Sequence, residues 1–245
     1  MNITNNTILI TGGGSGIGLE IAKALNATNK IIIVGRNKEK LDSAAQGLEN
    51  VSTIQADVTH EDDINRLYEE VKTTFGRLNI LINNAGFAHY YTISENSQTH
   101  DKAWEEFTTN YFAPIRMTEK FLPLLKEQSE AAVVNVSSIV GFVPGASLPT
   151  YSDSKAALHS YTQVLRHQLA KDTSVKVFEL MPPLVNTDFS AEIGGKENGI
   201  PPSVVADDLV KALQENKYEV RVGFTESLYQ NFFAGTEGAF DAFNS

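Results

Sequence analysis

Tyr151 and Lys155 stand four residues apart in the stretch Tyr-Ser-Asp-Ser-Lys, which is about one turn of a helix and puts a phenol and an ammonium on one face. A fixed positive charge eases loss of the tyrosine proton from a reference pKa of about 10, so the pair could serve as a general acid and base near neutral pH. The same spacing also occurs on solvated helix faces that do no chemistry. A second group lies near the N-terminus, Thr11-Gly12-Gly13-Gly14-Ser15-Gly16-Ile17-Gly18. Glycines there remove the Cβ atoms that would keep a pyrophosphate from the backbone N–H groups of a helix N-terminus. Three residues separate Gly12 from Gly16, where the G-x-G-x-x-G fingerprint has one.

These groups need elements to place them. The glycine cluster follows the β-rich run 7–11 and precedes the apolar periodicity of Ile17, Ile21, Ala22 and Leu25, so it reads as a strand-to-helix turn. Further strands are predicted at 31–34, 52–56, 79–82, 131–136, 175–180 and 219–223. Helices are predicted at 37–48, 62–75, 101–128, 149–171 and 203–215. Apolar strands alternating with helices imply an α/β fold, a doubly wound seven-stranded parallel sheet with helices on both faces, as in the Rossmann fold. Tyr151 then opens a helix, and the glycine turn sits at the carboxyl edge of the first strand.

With 42% hydrophobic residues among 245, the chain can bury one large core, and no composition break divides it. A single domain over 1–245 is expected, with a Gly- and Pro-rich loop at about 187–202, mobile over 190–202, and an aromatic extension at about 224–245. That extension holds Phe224, Tyr229, Phe232, Phe233, Phe240 and Phe243 and reads as a pocket cover, a subunit contact or ordinary docking on the core. No cysteine is present, which excludes disulfides, thiolate zinc sites and cysteine nucleophiles and favours a cytoplasmic location. The start MNITNNT has no signal-peptide pattern, and the longest apolar runs fall far short of the roughly 20 residues that span a bilayer. A net charge of −10 argues against nucleic-acid or membrane partners.

Together, TGGGSGIG, Asn83-Asn84-Ala85-Gly86, Ser138, and Tyr151 with Lys155 resemble the short-chain dehydrogenase/reductase family in motif, order and spacing, over essentially the whole chain. The resemblance implies a nicotinamide-dependent oxidoreductase. It makes Tyr151 the proton donor or acceptor, Lys155 the group that favours tyrosinate and holds the nicotinamide ribose, and Ser138 the hydroxyl that orients the carbonyl oxygen. Asn110, in Thr109-Asn110-Tyr111, is similar to the asparagine that holds a water linking Lys155 to a proton relay. For the cofactor, the resemblance implies contacts from Gly12, Ser15, Gly16, Ile17 and Gly18 in the glycine turn. It implies further contacts from Asp57 and Val58 at adenine, and from Asn84, Ala85 and Gly86 beside the adenosine ribose, with Asn84 mainly structural. A helix cap or loop role competes for Asp57. At the carboxamide it implies the Val185 backbone and Thr187. There the chain has Pro182-Pro183 where the family usually has Pro-Gly, so a φ is fixed and an N–H lost. The segment MPPLV is similar to family members called DltE-like, which implies no substrate.

Elementary chemistry agrees. Ser138 follows the apolar strand 131–136, and ligands of open α/β sheets bind at strand carboxyl ends. Both hydroxyls could face one carbonyl oxygen, where charge develops as hydride arrives. Ser137 reads as structural. After the second strand the residues are Gly35-Arg36-Asn37, with no acid for a ribose 2′-hydroxyl and a guanidinium for a 2′-phosphate. NADP(H) is therefore preferred and NAD(H) possible, with adenine stacking or a pair with Glu39 as competing roles for Arg36.

Candidate substrate walls are 87–91, 139–148, Leu184 and Phe189, mostly apolar, which suits a medium-sized carbonyl or alcohol. No histidine spacing suggests a metal. His89 reads as exposed, and the Glu105-Glu106, Asp62-Asp63 and Asp207-Asp208 pairs as helix-start charges. Helices 101–128 and 149–171 resemble the family's dimer-forming pair, implying a homodimer or homotetramer. An NAD-dependent alcohol dehydrogenase shares every residue named, and a non-catalytic nucleotide-binding protein on the same fold is the rival class.

Overall fold

The computed structural model describes residues 1–234. The apolar runs become β1 Thr7–Thr11, β2 Lys30–Gly35, β3 Val51–Gln55, β4 Ile80–Asn83, β5 Ala131–Val136, β6 Val175–Met181 and β7 Glu219–Arg221. They form one sheet in the order β3-β2-β1-β4-β5-β6-β7, with every pair parallel. Successive strands are added to one side from β1 to β3 and to the other from β4 to β7, and this switch between β1 and β4 opens a crevice at their carboxyl ends. Alternation of side chains sends Ile8 and Ile10 to one face and Leu9 to the other.

The first face is covered by α1 Gly16–Leu25, α2 Lys38–Ala45 and α8 Pro202–Glu215, through Ile21, Leu41, Val205 and Leu209. The second is covered by α3 Glu61–Phe75, α5 Ala113–Lys126 and α6 Pro149–Leu169, through Leu67, Val71, Phe121 and Leu165. Pro149 at the start of α6 presets the first turn, which fixes the place of Tyr151. No helix among the described residues is long and apolar enough to cross a membrane.

Three stretches differ from expectation. The helix predicted over 101–128 is broken: α4 Thr99–Phe107 passes through a π turn, Thr108–Phe112, into α5. Pro114 has no N–H, so a regular helix would leave the Asn110 carbonyl without its donor from four residues on, and a wider turn shifts the pairing. The segment 190–202, expected as a mobile loop, folds as a 3-10 turn at Asp188–Ile193, a short α7 at Gly195–Asn198 and a parallel bridge from Val185 to Ile200. Ser190 is buried and turns its hydroxyl back onto the Val185 carbonyl, while Gly194 joins the two turns at φ +78°. The strand expected at 219–223 stops at Arg221.

Four of the six tail aromatics lie in α9 Phe224–Ala234, and Phe240 and Phe243 lie outside the described residues. Leu228 and Phe232 pack against Ile139, Val140 and Val143, and the Arg221 guanidinium lies 4.0 Å from the Tyr229 ring centre. The described part of the extension therefore docks on the wall beside Ser138.

Candidate active site

Val136, Ser137 and Ser138 leave the end of β5 in extended backbone, and each holds a different group. The Val136 carbonyl accepts from Lys155 Nζ at 2.8 Å. The Ser137 hydroxyl donates to Glu179. Ser138 is hydrogen-bonded to Tyr151 through its side chain, and its Oγ also accepts from the Val140 N–H at 3.3 Å. Ser138, Tyr151 and Lys155 are 8%, 8% and 3% exposed. The structure thus brings the three together at one point, with Lys155 Nζ 5.6 Å from the Tyr151 ring centre.

Their electrostatics run against the expectation that the neighbouring ammonium eases loss of the phenol proton. Burial pushes the Tyr151 phenol well above its ordinary value, the Ser138 hydrogen bond pulls it back in part, and the Glu106 carboxylate raises it further. Lys155 is lowered by burial to about 8, with Glu179 opposing the fall. Burial therefore favours the protonated phenol, and any anion formed there depends on positive charge held close by.

Asn110 is 0% exposed in the π turn. Its side-chain oxygen accepts from the Phe87 N–H at 2.8 Å, and its amide donates to the Phe87 carbonyl at 2.7 Å and to Ser154 Oγ at 3.0 Å. The side chain thus holds the strand-end loop after β4. A Cβ built on Gly86 would lie 3.6 Å from Asn110 Oδ1 and 3.8 Å from Lys155 Nζ, so both side chains approach the Gly86 backbone.

Glu106 is a correction. It is not a helix-start charge but a 0% exposed carboxylate in the last turn of α4. It accepts from the His89 N–H at 2.7 Å and from the Thr150 hydroxyl, which in turn accepts from Tyr91 Oη at 2.9 Å. Burial raises its pKa. The signal was its place four residues before Asn110, on the same helix face. His89, expected to be exposed, is half-buried and pairs with Glu105 at 2.8 Å; it is not among the residues lining the larger cavity.

The glycine turn follows from close approaches. Gly12 and Gly16 have φ of +66° and +53°, and a Cβ on Gly18 would stand 2.7 Å from the Gly12 carbonyl oxygen. Asn84 Nδ2 donates to the Thr11 and Gly12 carbonyls at 2.9 and 3.3 Å, and the Asn84 and Ala85 N–H groups both meet Thr11 Oγ1 at 3.0 Å. Asn84 therefore ties the β1 turn to the β4 turn. Ser15, the residue capping α1, makes no side-chain cap, so the N–H groups of the first turn face the cleft, where Gly12, Ser15, Gly16 and Ile17 line its wall. An anion is the natural occupant of such a turn.

The cleft has two parts, of about 930 and 600 Å³, that share Gly12, Ala85 and Gly86. The smaller part holds Arg36, Asp57 and Val58. Arg36 is exposed and has no ion-pair partner among the described residues, so the pair with Glu39 is not formed. One Asp57 oxygen caps its own turn, accepting from the Thr59 N–H at 2.9 Å and hydroxyl at 2.7 Å. The larger part holds Pro182, Val185 and Thr187. Thr187 faces the glycine turn, its Cγ2 3.2 Å from where a Gly16 Cβ would be, and the Pro182 carbonyl accepts from the Ile139 N–H at 3.0 Å. An anion-ready turn midway along a two-part cleft, with a guanidinium at one end and the Tyr151 cluster at the other, fits an extended dinucleotide.

The larger part is mostly apolar, lined by Tyr90, Val140, Leu148, Leu184 and Phe189 among others. Phe87 belongs to the smaller part instead. Ile193, Ile200 and Phe224 also line the larger part and were not expected there, because they reach it only through the folding of 188–202 and the docking of α9.

The family model described as short chain dehydrogenase matches residues 6–198. Over 250 residues the chain is 38% identical to the uncharacterized oxidoreductase DltE of Bacillus subtilis (strain 168), covering 100% of this chain and 99% of that one. A short chain dehydrogenase from Burkholderia cenocepacia J2315, solved in complex with NADP, matches with a TM-score of 0.86 at 28% identity, covering 99% of this chain and 98% of its own. A short chain dehydrogenase/reductase from Burkholderia phymatum, solved in complex with NAD, matches with a TM-score of 0.83 at 21% identity, covering 90% and 89%. At that identity the likeness speaks for the fold alone.

Proposed function

This chain belongs to the short-chain dehydrogenase family, and from that premise we propose that it transfers a hydride between NADP(H) and an apolar carbonyl or alcohol of medium size. The observation that carries this reading is the buried Ser138–Tyr151–Lys155 cluster set into an apolar cavity of about 930 Å³. When bound, the nicotinamide supplies or accepts the hydride. The chain's own residues do the rest. Ser138 and Tyr151 direct hydroxyls at the substrate oxygen, where negative charge grows during reduction. Tyr151, protonated at rest, gives its proton to that oxygen, and the Lys155 ammonium offsets the charge left on the phenol. The apolar walls exclude water and select against charged substrates. A panel of apolar aldehydes and ketones is the test: at least one should consume NADPH, and a Lys155→Ala control should not. A panel with no turnover would favour the non-catalytic reading.

The 2′-phosphate of NADP(H) suits the unpaired Arg36 after β2, and the B. cenocepacia relative was solved with NADP. NADPH is expected to bind about tenfold or more tighter than NADH, the effect of one charge-assisted hydrogen bond. Arg36→Ala should erase the difference, and equal or weaker NADPH binding by the unmutated chain would overturn the preference.

Trp104 and Val164 are 64% and 52% exposed on α4 and α6, which supports a paired assembly through these helices. Light scattering at micromolar concentration is expected to give a dimer or tetramer, and a monomeric mass would refute it. The absence of cysteine and of an apolar spanning helix among the described residues supports a cytoplasmic location.

A further inference from the structure

Glu179 is a carboxylate in the middle of the apolar strand β6, and it is 0% exposed. A lone buried charge of this kind is costly, so its partners matter. Its two oxygens lie 3.0 and 2.9 Å from His159 Nδ1, and the first also accepts from the Ser137 hydroxyl. His159 is four residues beyond Lys155 on α6, hence on the same face. Ser137 stands between the residue whose carbonyl holds Lys155 and the residue whose hydroxyl meets Tyr151. Apolar residues of similar volume often dock elements as well as a buried ion pair does, so the charges call for a role beyond docking α6 on the sheet.

We propose that Ser137, Glu179 and His159 are positioning residues, a charged brace from strand to helix that holds the Lys155 ammonium and the Ser138 hydroxyl in place around Tyr151. The brace rests on the catalytic reading above and acts in two ways. It fixes the β5 end by hydrogen bonds, and the Glu179 charge sustains the proton on Lys155 against burial. His159 tempers that field when protonated. The groups facing His159 are Glu179 on β6, which raises its pKa most by hydrogen bonding, Glu219 on β7, and Arg166 on its own helix. Gln163 meets its other ring nitrogen at 3.2 Å, and Phe142 packs edge-on against the ring at 6.0 Å.

The test reads Lys155 directly, through the pH titration of its 13Cε NMR signal, assigned by its loss in Lys155→Ala. Glu179→Gln removes the negative charge that opposes the effect of burial on Lys155 and should move the Lys155 midpoint down by a few tenths to about one pH unit. His159→Gln keeps a donor to Glu179, removes the positive charge and should move the midpoint up. Glu179→Asp should restore most of the shift. The alkaline limb of kcat should follow the same order. Midpoints that stay fixed, or that move the same way in both variants, overturn the brace. The His159 variant, altered at the half-buried end, keeps the test open if Glu179→Gln does not fold. Titrations that shift as stated while no carbonyl compound is turned over would sink the catalytic reading alone. Turnover that depends on Tyr151 with unmoved titrations would sink the brace alone.

Discussion

Tyr151→Phe keeps NADPH binding and loses roughly 10²–10⁴-fold in kcat, the range of a missing general acid. The substitution removes one atom from a ring that is otherwise held by packing. That ring sits among Ile139, Val140 and Leu228, and its centre is 5.8 Å from that of Phe189. A phenylalanine fits the same contacts, so the fold and the cleft remain. What disappears is the phenol proton that the proposed function assigns to the substrate oxygen, along with the hydrogen bond to Ser138. Nicotinamide absorbance at saturating substrate measures the loss, and quenching of protein fluorescence by NADPH measures binding. Unchanged kcat would refute the assignment, and a loss of binding in step with kcat would move Tyr151 from proton transfer to cofactor holding.

Gly18→Ala acts at the glycine turn midway along the cleft and is expected to weaken NADPH binding by about 10- to 100-fold and to lower the Tm. The added Cβ would meet Asn84 Nδ2 at 2.6 Å, the Gly12 carbonyl oxygen at 2.7 Å and the Gly12 carbonyl carbon at 3.1 Å. Two of these are backbone, and Asn84 cannot retreat without losing its bonds to the Thr11 and Gly12 carbonyls. The turn must open, at an overpacking cost of about 1–3 kcal/mol, which is a tenfold to hundredfold change in an equilibrium constant. Titration with NADPH and a melting curve check both parts, and wild-type affinity in the alanine variant would show that the turn does not carry the cofactor.

Much of this was legible in the chain. Period-two and continuous apolar runs gave all seven strands because parallel strands are buried on both faces and tolerate little polarity. The glycine turn was legible because left-handed backbone leaves few alternatives to glycine. Helix periodicity puts Tyr151 and Lys155 on one face, but that spacing is common on solvated helices, and only the company of Ser138, Asn110 and the glycine turn singles the pair out. Glu106 and Glu179 were harder. Acidic residues are exposed far more often than buried, so their burial shows only when Thr150, His89, Ser137 and His159 arrive from distant parts of the chain. The turns within 190–202 are hidden for a similar reason: they rest on contacts of Ser190 and Ile200 with Val185 and its neighbours rather than on local propensity. The raised phenol of Tyr151 is likewise a property of enclosure, which no spacing reveals.

The π turn at Thr108–Phe112 carries one more residue than the helix on either side of it requires. In a helix each residue advances the next by about 100° around the axis, so the turn works as a phase shifter between α4 and α5. Upstream of it, Glu106 faces inward towards the Phe87–Tyr91 wall; within it, Asn110 grips Phe87; downstream, Met117 and Phe121 pack on the sheet. All of these faces agree only at this chain length. Removing a single residue here would rotate either the wall or the core out of register, whatever its identity, so this stretch is constrained by counting as well as by chemistry.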